Sequence, residues 1–257
     1  QANTASNPAP PTGNGRIKDG LVGEWWFDEG SGSSVLDRSF ATTTTDLTLS
    51  GDYVWKTDAS LSDRKYLSMS ATTAAGYNLN PIEIDAIGNG SSFSIEAWVK
   101  PTDANGANPG PGRILSLSKA QDGATATQSF MLGHGTWSSA GYNASNYHFR
   151  VRAGDVNDDE IVSHFTGDGT ALAQLQHIVT TVSHDGSSTL TVKTYVDGDL
   201  KVTTEQPDIS LPAFGAWNSS YTLKVGYDSG LSRVFDGDLY LIAVYNKALT
   251  LAEINQN

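Results

Sequence analysis

The sequence contains no cysteine. Disulfides, thiolate metal sites and cysteine nucleophiles are thereby excluded. Charge is also scarce: Asp, Glu, Lys and Arg make up 17% of the 257 residues, and acids outnumber bases 28 to 16. A net charge of −12 lacks the basic footprint that non-specific grip on nucleic acid requires, so no nucleic-acid partner is expected. No run approaches the roughly 18 to 20 unbroken apolar residues of a membrane span. Gly-x-Ser-x-Gly and His-x-x-x-His are both missing, which argues against a serine nucleophile elbow and against zinc. Long amphipathic helices are lacking too, and without them nothing can build the crossovers of a parallel α/β sheet.

Ser, Thr, Gly and Asn are abundant, in short stretches of β character. Residues 1–15 hold Pro8, Pro10 and Pro11 among Asn, Thr and Gly, with almost nothing to bury. They read as a flexible linker or a disordered N-terminus, with folded structure over 16–257. If a linker, this is one module among other domains of a larger secreted protein. The polar, weakly charged surface style points to a secreted or cell-surface location. No basic and apolar leader stands at Gln1 to signal it.

From Arg16 onward, alternating or β-branched runs are broken by Gly, Asp, Asn and Pro. In 92–100, Phe93, Ile95, Ala97 and Val99 alternate with Ser94, Glu96, Trp98 and Lys100. Asp197-Gly198 marks a two-residue hairpin turn. Only 81–87 and 250–255 look helical, and Thr250 with Glu253 fits a capping box. Neighbours Trp25 and Trp26 in one strand must point to opposite faces. The architecture that follows is all-β: two antiparallel sheets packed face to face.

Three segments together resemble the laminin-G-like, concanavalin A-like lectin/glucanase jelly rolls of secreted bacterial proteins. Gly20-Leu21-Val22-Gly23-Glu24-Trp25-Trp26-Phe27-Asp28 is similar to their opening strand. Phe93 to Pro101 resembles the central strand, and Tyr195-Val196-Asp197-Gly198 with Gly237 to Leu249 resembles the late hairpin and closing strand. They occur in the family's order and bracket 16–257. The resemblance implies an antiparallel jelly-roll sandwich but no single function, because the fold hosts lectins, binding modules, adhesion domains, glycosidases and lyases. It also implies one structural Ca²⁺ joining the N-terminal and C-terminal strands. Asp28, Asp37 and Asp238 are its expected ligands, against an equal reading of such Asp residues as turn formers. Many relatives carry an acidic pair in the closing strand where this chain has Tyr240 and Leu241, which puts the calcium site in doubt.

Hydrolysis needs paired carboxylates. The Glu-x-Asp-x-x-Glu strand of jelly-roll laminarinase-like hydrolases is missing, and Glu96, the one acid in mid-strand, reads better as hydrogen-bonded or paired on a sheet face. Jelly-roll lyases use an Arg-x-Glu-x-Arg strand and a Gln-Ile-His strand; Gln176-His177-Ile178 is only a scrambled likeness. No catalytic residue is therefore assigned. In Tyr147-His148-Phe149-Arg150-Val151-Arg152, alternation sends the apolar residues to the core and projects His148, Arg150 and Arg152 from the other face, about 7 Å apart. Arg113 begins another strand. Such a basic stripe can clasp carboxylate or sulfate despite the overall negative charge. Pairing with Asp155, Asp158 or Asp159 is the competing reading. Loop aromatics Trp137, Tyr142 and Trp217 are the expected sugar-stacking rings, or else plugs at the end of the sandwich.

The expectation is a non-catalytic carbohydrate-binding module for a polysaccharide, acidic or sulfated, bound by a concave sheet face and loop aromatics. A jelly-roll lyase or hydrolase and a protein-binding adhesion domain are the alternatives.

Overall fold

The computed structural model of the chain describes residues 9–10, 15–39, 45–70, 76–79, 92–105, 111–118, 128–135, 145–152, 160–210, 221–227 and 233–257. They form two eight-stranded antiparallel sheets. The first runs β14 (Asp199–Gln206), β13 (Leu190–Val196), β12 (Gln176–His184), β7 (Phe93–Pro101), β16 (Gly237–Tyr245), β5 (Arg64–Met69) and β4 (Tyr53–Asp58). β1 (Leu21–Trp25) joins it beside the second half of β16, since Trp25 pairs with Ile242 while β5 pairs with Gly237 to Leu239. The second sheet runs β11 (Glu160–Phe165), β10 (Tyr147–Arg152), β9 (Gln128–His134), β8 (Gly112–Ser118), β15 (Thr222–Val225), β6 (Gly76–Leu79), β3 (Leu47–Ser50) and β2 (Ser34–Val35).

The core follows from period-two alternation. From the first sheet Phe93, Ile95, Ala97 and Val99 enter it, and from the second Leu115, Leu117, Phe130, Leu132, Phe149 and Val151. Aromatic pairs such as Phe93 with Phe130 (5.6 Å between centroids) cross the gap. The outer face of the first sheet is also apolar along its middle. There Trp26, Trp98, Tyr240, Tyr245, Leu249 and Ile254 make a second cluster beneath the final helix, α1 (Leu251–Gln256). Trp25, the last residue of β1, and Trp26 just after it thus serve opposite faces of the sheet.

The strands read at 92–100 and at Tyr147 to Arg152 are present as β7 and β10. The capping box is present at Thr250 and Glu253. Asp197 and Gly198 have φ of +53° and +81°, the two left-handed positions of the tightest hairpin turn. The expected helix at 81–87 lies outside the described residues.

Candidate functional site

Strand pairing fixes which side chains share the outer face of the second sheet. His148 of β10 lies opposite Phe165 of β11 and Gly133 of β9, and Gly133 lies opposite Arg113 of β8. One step along, Arg150 lies opposite Ser163 and Met131, and the row continues through Ser116 to Lys224 of β15. Arg152 follows on the same strand. Three arginines, a histidine and a lysine therefore stand on one face, away from Tyr147, Phe149 and Val151 in the core.

Burial divides this face. Arg113 is fully buried, and His148, Arg152 and Lys224 are between 2% and 4% exposed. The sequence reading placed the whole basic row at an accessible surface; the structure corrects this for Arg113, His148 and Arg152. The accessible part is its margin on the edge strand. Arg150 and Ser163 are half-buried and Phe165 is 42% exposed. Phe165 stacks on His148 at 4.0 Å between ring centroids and 27° between planes. It is the aromatic of this face that sequence reasoning missed. The signal was the alternation of His164 and Phe165, which sends the phenyl ring outward.

Burial, and then the positive charges of Arg150, Arg113, His164 and Arg233, push the His148 imidazole well below its ordinary pKa. It is neutral at pH 7, with Nε2 2.8 Å from Ser163 Oγ. Nδ1 is buried and has no hydrogen-bond partner among the described residues, and neither has Ser129 Oγ on the same face. Lys224 Nζ donates to Ser118 Oγ at 2.8 Å. Lys224 was also passed over, although Thr222-Leu223-Lys224-Val225 alternates plainly. Glu160 of β11 lies opposite Arg152, so an acidic residue stands at one end of the row. At its accessible margin the face offers an aromatic ring, a guanidinium and a hydroxyl.

Trp137, Tyr142 and Trp217 lie outside the described residues. The three expected calcium ligands are described, and they do not converge. Asp28 pairs with the Arg38 guanidinium. The Asp37 carboxylate accepts from the backbone amides of Glu24 (3.1 Å), Ser39 (2.9 Å) and Thr45 (2.9 Å), so it organises a turn. Asp238 sits opposite Ser68 and Lys100. Asp37 bridges to Trp25, which pairs with Ile242, four residues and so about 13 Å along β16 from Asp238. Among the described residues no three His, Asp or Glu side chains are grouped to hold a metal ion. Tyr240, at the family's acidic position, instead donates its hydroxyl to Asp58 Oδ2 at 2.9 Å and stacks on Tyr66.

Glu96 is held as the sequence suggested, by partners the sequence did not show. It is fully buried on the outer face of the first sheet and accepts from Arg16, Tyr245, Asn257 and Trp98, with His177 Nε2 3.0 Å away. Burial alone would raise its pKa, but the Arg16 guanidinium and His177 hold it well below the usual carboxylate range. His164 of β11 lies between Thr194 and Thr204.

The family described as the Concanavalin A-like lectin/glucanases superfamily, of laminin-G type, matches residues 72–255. No curated protein sequence matches the chain. Among solved structures it is similar to domain 4 of AbnA, a GH43 extracellular arabinanase from Geobacillus stearothermophilus, in complex with arabinotriose. The TM-score is 0.54 at 16% identity, covering 91% of this chain and 96% of that one. It is similar to the CBM40 of a Ruminococcus gnavus IT-sialidase bound to α2,3 sialyllactose, with TM-score 0.54, 15% identity and coverage of 74% and 94%. It is also similar to the binding domain of Paraclostridial Mosquitocidal Protein 1, with TM-score 0.59 and 16% identity over 93% of this chain, though it spans only 51% of that one.

Proposed function

We propose that this chain, which belongs to the concanavalin A-like lectin/glucanases superfamily, is a non-catalytic carbohydrate-binding module of a secreted or cell-surface protein. Its ligand is an acidic polysaccharide, uronic or sulfated. The observation that carries the reading is the margin of the second sheet, where half-buried Arg150 and exposed Phe165 stand side by side. A planar guanidinium grips carboxylate or sulfate in two-point fashion, and a phenyl ring takes the apolar face of a pyranose. A chain of net charge −12 repels a polyanion, so the binding rests on direct contacts of this kind. Trp137, Tyr142 and Trp217 remain proposed stacking residues, and one structural Ca²⁺ is tested by adding a chelator.

Binding without bond-breaking is supported by what the acid–base groups are doing. Glu96 is enclosed by five protein partners and cannot reach a sugar. His148, the one imidazole beside the arginines, lies under Phe165 with Nε2 engaged by Ser163, so a base role in β-elimination would need that stack to open. The neighbours in complex with arabinotriose and bound to α2,3 sialyllactose support a sugar ligand in general, not its identity.

Electrophoresis through gels containing alginate, polygalacturonate or heparin tests the reading. The chain should be retarded by at least one of them, and Arg150→Ala and Phe165→Ala should migrate freely while keeping the native melting transition. Retardation that survives both substitutions would remove this face from the site, and binding to a protein partner alone would favour an adhesion domain.

A further inference from the structure

A second opening lies at the far side of the sandwich, where edge strand β4 meets the turn Gly30–Ser33. It is a groove of about 880 Å³, lined by that turn, by Asp52 to Lys56 and by Ser68 to Ser70. We infer that it is a binding site for an uncharged sugar chain, separate from the basic face of the other sheet and independent of its function.

Alternation along β4 turns Tyr53 and Trp55 to one side and Val54 to the other, where it is 57% exposed. Both rings are half-buried: they pack against the main core and also line the groove. They stand edge to face, 6.4 Å between centroids and 85° between planes, giving a floor and a wall at right angles. Their polar ends are fixed by one acceptor. The Tyr53 hydroxyl donates to the Gly32 carbonyl at 3.0 Å, and Trp55 Nε1 donates to the same oxygen at 2.9 Å. Gly32 has a φ of +84°, a conformation that suits glycine, and this turn is what aims its carbonyl at the two rings.

The consequence is an aromatic corner set before any ligand arrives, so little side-chain freedom is lost on binding. Because the indole N–H is already satisfied, what Trp55 offers is its ring, which suits the C–H face of a sugar. Around it stand serine hydroxyls, glycine backbone and one charge of each sign, Asp52 and Lys56, the latter donating to Ser68 Oγ at 2.9 Å. Short hydroxyls and a single carboxylate suit vicinal sugar hydroxyls; the balanced charge gives no preference for an anion. Uncharged glycan is the chemistry this lining fits.

Titration of the ¹⁵N-labelled protein with xylotriose, arabinotriose, laminaritriose and cellotriose, followed by amide and indole N–H spectra, tests the assignment. At least one trisaccharide should shift the Trp55 indole signal together with the amides of Gly30–Ser33 and Asp52–Lys56. Trp55→Ala should weaken that oligosaccharide's binding roughly tenfold, as should the exposed Asp52→Ala, which leaves the core alone. Arg150→Ala on the opposite sheet should leave it unchanged, which separates this site from the acidic-glycan reading. No response to any of the four, or shifts confined to other residues, would overturn the inference.

Discussion

Arg16 reaches Glu96 across 80 positions of sequence, its Nη1 donating to Oε1 at 2.9 Å and its Nη2 to Oε2 at 2.8 Å, with both side chains fully buried. The same guanidinium donates from Nε to Glu24 at 2.7 Å and from Nη1 to the backbone carbonyl of Asn257 at 3.2 Å. One residue therefore ties the segment before β1 to the central strand and to Asn257. Arg16→Ala leaves the Glu96 carboxylate buried without its main counter-charge, so it should destabilise the domain by about 3–5 kcal/mol. Denaturant unfolding checks this; a loss below about 1 kcal/mol would mean the clasp is not part of the cooperative fold.

Three histidines make the fold sensitive to acid. His164 is lowered by burial from 6.5 to about 4, and His134 and His148 are lowered as well, burial being the largest cause in each. An unfolded chain would take up these protons near pH 6.5 while the folded one refuses them. Their contribution to stability is thus complete above about pH 6.5 and drains away as the pH falls toward 4, His164 alone giving up about 3 kcal/mol. Melting temperatures should be flat from pH 7 to 8 and fall steadily between pH 6.5 and 4. Replacing His164 with Gln should flatten part of that fall.

The hairpin at Asp197 and Gly198 depends on glycine. Gly198 has φ +81°, and a Cβ there would stand 2.7 Å from Asn255 Oδ1 of α1. Gly198→Ala should cost about 1–2 kcal/mol from backbone strain, measured by unfolding, and should loosen α1. Gly198→Asn, which tolerates the left-handed region better, should cost less.

Helix α1 covers Tyr245 and Leu249 with only Ile254 buried, so its capping box carries weight. The Thr250 side chain accepts from the Glu253 amide while Glu253 reaches back to the Thr250 amide at 2.8 Å. Thr250→Ala should cost about 1 kcal/mol. Faster amide exchange over Leu251–Gln256, with no change in the sheets, is the specific sign.

What the sequence revealed and what it hid divide along a physical line. Alternation is local, so β7 and β10 and the orientation of Phe93 to Lys100 could be read directly. The hairpin turn and the capping box, each fixed by residues at set offsets, were legible for the same reason. That Arg150 points away from the core was visible; that Arg113, His148 and Arg152 are buried was not, because burial depends on what lies across the sheet. Arg16 with Glu96 was illegible for a similar reason: no periodicity joins positions 80 apart. The calcium expectation came from likeness rather than local chemistry, and the register of β1 and β16 keeps Asp37 and Asp238 apart.

The most direct test of sugar recognition at the Arg150 face is a calorimetric titration with alginate, polygalacturonate and heparin. The same mixtures are then assayed for new reducing ends and unsaturated uronates. Saturable binding to at least one polymer is predicted, weakening as salt is raised and dropping roughly tenfold or more with Arg150→Ala, while polymer length stays constant. A shortened polymer, or affinity indifferent to both salt and Arg150, would contradict the account.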